Sequence, residues 1–218
     1  MDDKKFCFIS CVSNERIYEE CTFYISHLRI PNGYTAEMLP IRDASSLASG
    51  YNKAMNATDA AIKIYLHQDC FVINPNFLND ILKIFAMNEN IGMIGMLGAP
   101  EFSPDGIPEN STRVGGLYTP DQDASMYQTY EYRPMDGLFS CEYVSGMLMV
   151  TNRDIPWRED LFDGWDYYDA SQCMEFLRKG FKVVVPGQTL AWCAHEGNLS
   201  NRWSYDRYRK IFLKEYMG

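Results

Sequence analysis

The feature that most constrains this chain is the alternation, through its first half, of short continuously apolar runs with segments of helical length. Residues 6–12, 36–41, 61–66 and 91–97 are strand-sized, and apolar residues hold successive positions rather than every second one. Between them, residues 18–28, 45–57 and 75–87 have the length and patterning of helices. Strands that are apolar on both sides must be covered on both faces, so this order predicts right-handed βαβ units. The expected product is an α/β fold with a mostly parallel central sheet and helices on both faces. With 218 residues and no abrupt change in composition, residues 1–218 read as one domain.

From residue 99 to residue 139 the pattern dissolves into Pro, Gly, Asp, Ser and Tyr, which reads as a long functional loop able to close over a substrate as a lid. Order returns at 142–151, then in a helix over 169–179 closed by Gly180, then in a strand over 181–185. Residues 202–216 alternate basic and aromatic side chains and predict a final helix.

A net charge of −9 argues against a nucleic-acid partner, because counterion release needs a broad positive surface. A diphosphate is still accessible to an acidic chain if a divalent cation neutralises it, which directs attention to metal-binding carboxylates. No apolar run has the length of a membrane span, and the N-terminus does not read as a signal peptide. Seven cysteines, several inside apolar runs and without paired metal-ligand spacing, read as reduced thiols of a cytoplasmic protein.

Ligands of open parallel sheets bind beyond the carboxyl ends of the strands. The third strand ends in His67-Gln68-Asp69, followed by an apolar Cys70-Phe71-Val72. A carboxylate there needs a partner, either a backbone N–H or an arginine, or a divalent cation shared with phosphate oxygens. His67 can orient or ligate, or be a hydrogen-bonded structural histidine. A second group is Asp163, Trp165, Asp166, Tyr167, Tyr168 and Asp169, ahead of the helix that Gly180 closes. Asp169 with Gln172 three residues on fits a capping box; a partly desolvated Asp beside an acceptor hydroxyl equally fits a general base. His195, late in the chain, is either structurally satisfied or, with Asp69, a ligand of Mn2+ or Mg2+.

These segments in this order resemble the GT-A glycosyltransferases of family 2, in particular a compact bacterial glycosyltransferase-like branch whose third strand ends in His-Gln-Asp. The resemblance runs through Ser10-Cys11-Val12-Ser13-Asn14, Gly50-Tyr51-Asn52, Tyr65 to Asp69, Val144-Ser145-Gly146, Phe162-Asp163 through Asp169 to Gly180, and His195. It implies that Ser10, Val12, Asn14, Asp43 and Asn52, with His67 and Gln68 beside them, hold the nucleotide. It implies that Asp69 is the last acid of the metal-binding Asp-x-Asp, that His195 lies near the metal or diphosphate, and that Asp169 is the catalytic base. Trp165, Asp166, Tyr167 and Tyr168 would then line the acceptor side. Two positions depart from the common pattern: His67 stands where an acid precedes Asp69 by two residues, and Tyr168 stands where a Glu precedes Asp169. The resemblance implies transfer of a sugar, with inversion and assistance from Mn2+ or Mg2+, from a nucleotide-diphosphate sugar such as a UDP-sugar to a glycan or other hydroxyl acceptor. The alternatives are a nucleotidyltransferase acting on sugar phosphates, against which residues 10–16 contain no glycine for a phosphate loop, and a non-catalytic nucleotide-sugar or glycan-binding module.

Overall fold

The apolar runs of the first half are strands and the intervening segments helices in a computed structural model that describes residues 1–120, 127–132, 137–196 and 202–218. In chain order these are β1 (Asp2–Cys11), α1 (Glu15–Ser26), β2 (Thr35–Ile41), α2 (Leu47–Ala57), β3 (Ala60–Leu66), β4 (Cys70–Val72), α3 (Phe77–Met87), β5 (Ile91–Gly95) and β6 (Leu97–Ala99). Side-chain caps start two of the helices. Asn14 accepts from the N–H of Ile17 ahead of α1, and Ser46 accepts from the N–H of Ser49 ahead of α2. The second half supplies β7 (Val114–Pro120), β8 (Tyr127–Tyr132), β9 (Leu138–Cys141), β10 (Tyr143–Val144), β11 (Leu148–Thr151), α4 (Tyr168–Arg178), β12 (Lys182–Pro186), β13 (Cys193–His195) and α5 (Arg202–Phe212). A π-helical turn over Leu213–Met217 follows.

The main sheet has seven strands in the order β2-β1-β3-β11-β5-β12-β9. Strands β2, β1, β3, β5 and β12 share one direction, and β11 and β9 run against it. One face is covered by α1 and α3, whose Tyr18, Cys21, Ile25, Phe77, Leu78 and Ile81 are buried, and the other by α2 and α4. Covering on both faces accounts for the continuously apolar strands. A second sheet, β10-β6-β7-β13-β4 with β8 on β7, adjoins it. A third cluster, Phe102, Phe162, Tyr167, Ala170, Tyr208 and Phe212, docks α5 on α4.

The stretch over 99–139 is more ordered than its composition suggests, because a 3-10 turn over Pro108–Asn110 leads into the antiparallel pair β7 and β8. Gly115 (φ +94) and Gly116 read as loop, yet the N–H of Gly116 reaches the carbonyl of Met96, and a Cβ on Gly115 would strike that carbonyl. Glycine therefore serves here to let β7 approach β6 and β12 closely. The lid expectation falls partly on residues 121–126 and 133–136, which lie outside the described residues. The portion near Gly106 is docked: Tyr167 Oη donates to the Gly106 carbonyl at 2.6 Å, and Arg209 donates to the Asp105 carbonyl at 2.9 Å.

Candidate functional site

Strand β3 ends at Leu66, so His67, Gln68 and Asp69 emerge at the carboxyl edge shared by β1 and β2. Two pairings decide what they meet. The antiparallel match of β13 with β4 sets His195 opposite Cys70, and the N–H of Glu196 reaches the Asp69 carbonyl at 3.2 Å, bringing His195 beside Asp69. From the other side, the turn before β11 joins β3 to α4. The His67 N–H donates to the Met147 carbonyl at 3.0 Å, and the Gly146 N–H donates to Asp169 Oδ2 at 2.9 Å.

His67, Asp69 and His195 form one cluster whose ligand atoms all lie within 4.8 Å of one another. His195 Nε2 is 3.3 Å from Asp69 Oδ1 and 3.2 Å from His67 Nδ1, and His67 Nδ1 is 4.0 Å from Asp69 Oδ1. Burial opposes ionisation of Asp69, but the hydrogen bond and charge of His195, with His67, hold its carboxyl below the usual value. Desolvation, reinforced by the neighbouring His195, pushes His67 down to about 4, against a smaller pull from Asp69, so its ring is neutral near pH 7. Two imidazoles and a carboxylate held ionised are a donor set suited to a divalent cation. The side chains that flank the Asp69 carboxylate here are the two histidines.

Asp169 sits in the first turn of α4, not at its cap. The capping residue is Tyr167, in the left-handed region at φ 61, with no side-chain capping bond, while Gln172 donates to the Ile155 carbonyl at 2.7 Å. The capping box is therefore not formed. Asp169 Oδ2 accepts from Tyr143 Oη at 3.0 Å as well as from Gly146, and Oδ1 accepts from the N–H of Ala170 at 2.8 Å. Burial pushes its carboxyl above the usual value, partly offset by the Gly146, Ala170 and Tyr143 donors. Tyr143 is a contact that sequence reasoning missed; an isolated tyrosine in Glu142-Tyr143-Val144 carries no signal of it.

The other candidates are dispersed. Trp165 is exposed. Asp166 is buried and accepts from Ser204 Oγ at 2.6 Å, and Asp163 accepts from Tyr208 Oη at 2.7 Å and pairs with Arg207 at 3.2 Å, so both carboxylates hold α5. Tyr167 packs its ring at a tilt against Tyr205 and Phe212 inside the C-terminal cluster. Of the residues expected on the acceptor side, Asp166, Tyr167 and Tyr168 are buried while Trp165 is exposed, and Tyr167 takes a left-handed backbone conformation.

On the nucleotide side, Gln68 Oε1 accepts from the N–H groups of Ser13 and Asn14 and Gln68 Nε2 donates to Ser13 Oγ, all at 2.9 Å, so it braces the β1–α1 loop. Asn14 caps α1, Ser10 and Val12 are buried in the strand end, and Asp43 pairs with Lys53 at 2.8 Å on the surface. Asn52 is committed to the Trp157 main chain, accepting from its N–H at 2.8 Å and donating to its carbonyl at 2.9 Å, with Glu159 beside it at 3.0 Å. The β1 end, Asn14 and the β3 end thus converge, whereas Asn52 clamps a neighbouring segment.

Residues 7–216 match the model of a glycosyltransferase-like family. No curated protein matches the sequence. Among solved structures, the mannosyltransferase PcManGT from Pyrobaculum calidifontis in complex with GDP-Man and Mn2+ superposes with a TM-score of 0.62 at 10% identity, covering 99% of this chain and 64% of that one. A protein from STIV superposes with a TM-score of 0.45 at 11% identity, covering 91% of this chain and 97% of that one. The chain therefore spans 64% of the length of the mannosyltransferase, and the likeness is one of fold. No helix among the described residues is long and apolar enough to cross a membrane.

Proposed function

The chain belongs to the glycosyltransferase-like family, and from that premise we propose that it transfers a sugar from a nucleotide-diphosphate sugar to a hydroxyl acceptor with inversion at the anomeric carbon. The observation that carries this reading is the convergence, at the carboxyl edge of the parallel strands, of the His67–Asp69–His195 cluster with Asp169 across one turn. The two groups have complementary tasks. His67, Asp69 and His195 fit a divalent cation, Mn2+ or Mg2+, which when bound supplies positive charge to the diphosphate leaving group.

Asp169 is the base. Its carboxylate takes the proton of the acceptor hydroxyl as that oxygen bonds to the anomeric carbon and the bond from that carbon to the diphosphate oxygen breaks. One displacement from the opposite face inverts the centre. Gly146, Ala170 and Tyr143 hold the carboxylate in place, while burial keeps it basic enough to accept a proton. The β1–α1 loop, braced by Gln68, supplies the edge on which the nucleotide rests, and exposed Trp165 offers a face for a sugar ring.

The test is transfer from a panel of UDP- and GDP-sugars with and without Mn2+, with melting temperature read on the same samples; GDP-sugars are included because the solved mannosyltransferase holds GDP-Man. We expect a nucleoside diphosphate to raise the melting temperature only with the cation, and Asp69→Asn to remove more than about 1 kcal/mol of that stabilisation. Nucleotide-sugar binding without turnover on any acceptor class would replace the enzyme by a binding module. Equal metal dependence in Asp69→Asn and the parent would remove Asp69 from the site.

A further inference from the structure

The two positions at which the chain departs from the common motif pattern are bonded to each other. His67 Nε2 lies 2.6 Å from Tyr168 Oη, although 101 residues separate them in sequence. Neither residue has much freedom. The His67 main chain is tied to Met147, and Tyr168 is buried with its ring against Tyr51 at 5.9 Å and Trp157 at 6.1 Å. Its hydroxyl also occupies the space that a side chain at residue 146 would need, so Gly146 leaves Oη one place to be.

That contact is coupled to what the other ring nitrogen does, because Nε2 carries the proton when Tyr168 Oη accepts and Nδ1 carries it when Oη donates. With Nε2–H donating to Tyr168 Oη, the lone pair of His67 is on Nδ1, the atom that faces His195 Nε2 at 3.2 Å and Asp69 Oδ1 at 4.0 Å. The opposite tautomer would place a proton there instead. Ligands sharing one first-row ion at about 2.1 Å stand about 3.0 Å apart in octahedral and about 3.4 Å apart in tetrahedral geometry, values that bracket the 3.2 and 3.3 Å separations made by His195.

We propose that His67, Asp69 and His195 form a two-imidazole, one-carboxylate site selective for a first-row transition ion over Mg2+, and that Tyr168 is the positioning residue that holds His67 in its ligating tautomer. The argument for selectivity is the donor set. Mg2+ is hard, dehydrates reluctantly and is held through carboxylate and phosphate oxygens; imidazole nitrogen suits the later ions, and this cluster offers a single carboxylate. The role of Tyr168 follows from the general behaviour of ligating histidines, whose second ring nitrogen is fixed by a hydrogen bond that orients the ring. A phenol oxygen performs that task here, and it does so without adding a negative charge to the site. This deepens the glycosyl-transfer reading and rests on it only for what the ion is for.

The experiment is equilibrium binding of the metal alone to the purified chain. Mn2+ is titrated by the EPR signal of the free ion with Mg2+ as competitor, and nitrogen coupling to bound Mn2+ is read by pulsed EPR. The expected result is Mn2+ binding that Mg2+ displaces only at more than about 10-fold higher concentration, with imidazole nitrogen coupled to the ion. Tyr168→Phe should weaken Mn2+ binding by about 10-fold or more, the usual effect of removing such an orienting partner. His67→Asp should narrow the Mn2+ to Mg2+ ratio and reduce the nitrogen coupling; this second variant replaces the ligand itself and does not depend on how Tyr168→Phe folds. Equal affinity for the two ions in the parent, absence of nitrogen coupling, or an unchanged ratio in His67→Asp would overturn the site. Unchanged Mn2+ affinity in folded Tyr168→Phe would overturn the positioning role. Selective metal binding with no sugar transfer would instead count against the enzymatic reading and leave this inference standing.

Discussion

The Gly146 main-chain N–H and Asp169 Oδ2 meet at 2.9 Å, and a Cβ at residue 146 would collide with Tyr168 Oη and come within 2.9 Å of Asp169 Cβ. One glycine thus sits against both the proposed base and the residue that orients His67. Gly146→Ala is expected to destabilise the fold by about 1–3 kcal/mol, as overpacking of a well-filled site does, and to lower turnover and Mn2+ affinity together. Urea unfolding alongside metal titration checks it. A variant with parental stability and Mn2+ affinity would show that the turn has slack the structure does not suggest.

Asp169→Asn separates chemistry from architecture. The amide keeps one oxygen for Gly146 and Tyr143 but turns its NH2 toward the Ala170 N–H, so a loss of stability of about 1–3 kcal/mol is expected while nucleotide affinity holds and turnover per folded molecule falls by roughly 100-fold or more. Full activity in the folded variant would move the base elsewhere.

The pH dependence of Asp169 has a defined sign. Burial raises its folded carboxyl above the unfolded value of about 3.9. Between those two values the folded chain binds more protons than the unfolded one, so its contribution to stability is fully present below the unfolded value and is lost as pH rises through the folded one. Asp169→Asn should therefore flatten the stability profile on the acid side, and the acidic limb of kcat/KM should lie above the ordinary carboxylate range. An identical acid-side profile in variant and parent would contradict the raised carboxyl.

Asp163 and Asp166 are expected to behave as anchors of α5. Asp163→Asn weakens exposed contacts with Arg207 and Tyr208 and should cost no more than about 1 kcal/mol. Asp166→Ala removes a buried carboxylate together with its hydrogen bond from Ser204 Oγ and should cost about 1–3 kcal/mol. Neither should change turnover per folded molecule; a loss near that of Asp169→Asn would reassign the base.

The α/β alternation was legible because strands covered on both faces cannot hide their apolar runs, and β1, β2, β3 and β5 fall where those runs lie. Strand direction was not: nothing in Leu148–Thr151 distinguishes the antiparallel β11 from its parallel neighbours, since direction is set by connections made elsewhere. His67, Asp69, His195 and Asp169 stand out individually at element ends. Their meeting depends on the pairing of β13 with β4 and on the turn at Gly146, which are long-range facts. The burial of Asp166 and Tyr167 accompanies a left-handed backbone at Tyr167, a conformation that sequence rarely announces outside glycine and asparagine.

Lys63 places a charge inside the otherwise apolar β3. Its side chain is fully buried, and its ammonium donates to Asp154 Oδ1 and to the Ala60 carbonyl, both at 2.7 Å. The pair is asymmetric, because the Asp154 side chain is 34% exposed whereas Lys63 has no access to water. Removing the acid therefore leaves an ammonium buried with one carbonyl, and Asp154→Ala should cost about 3–5 kcal/mol. Removing the base instead frees a carboxylate that water can reach, and methionine fills most of the lysine volume, so Lys63→Met should cost far less. The double variant should recover most of the Asp154→Ala loss, since no buried charge remains without its counter-ion. Denaturant midpoints for the three variants, at equal m-values, decide the matter. Equal losses for the two single variants would mean that the pair contributes through packing rather than through charge.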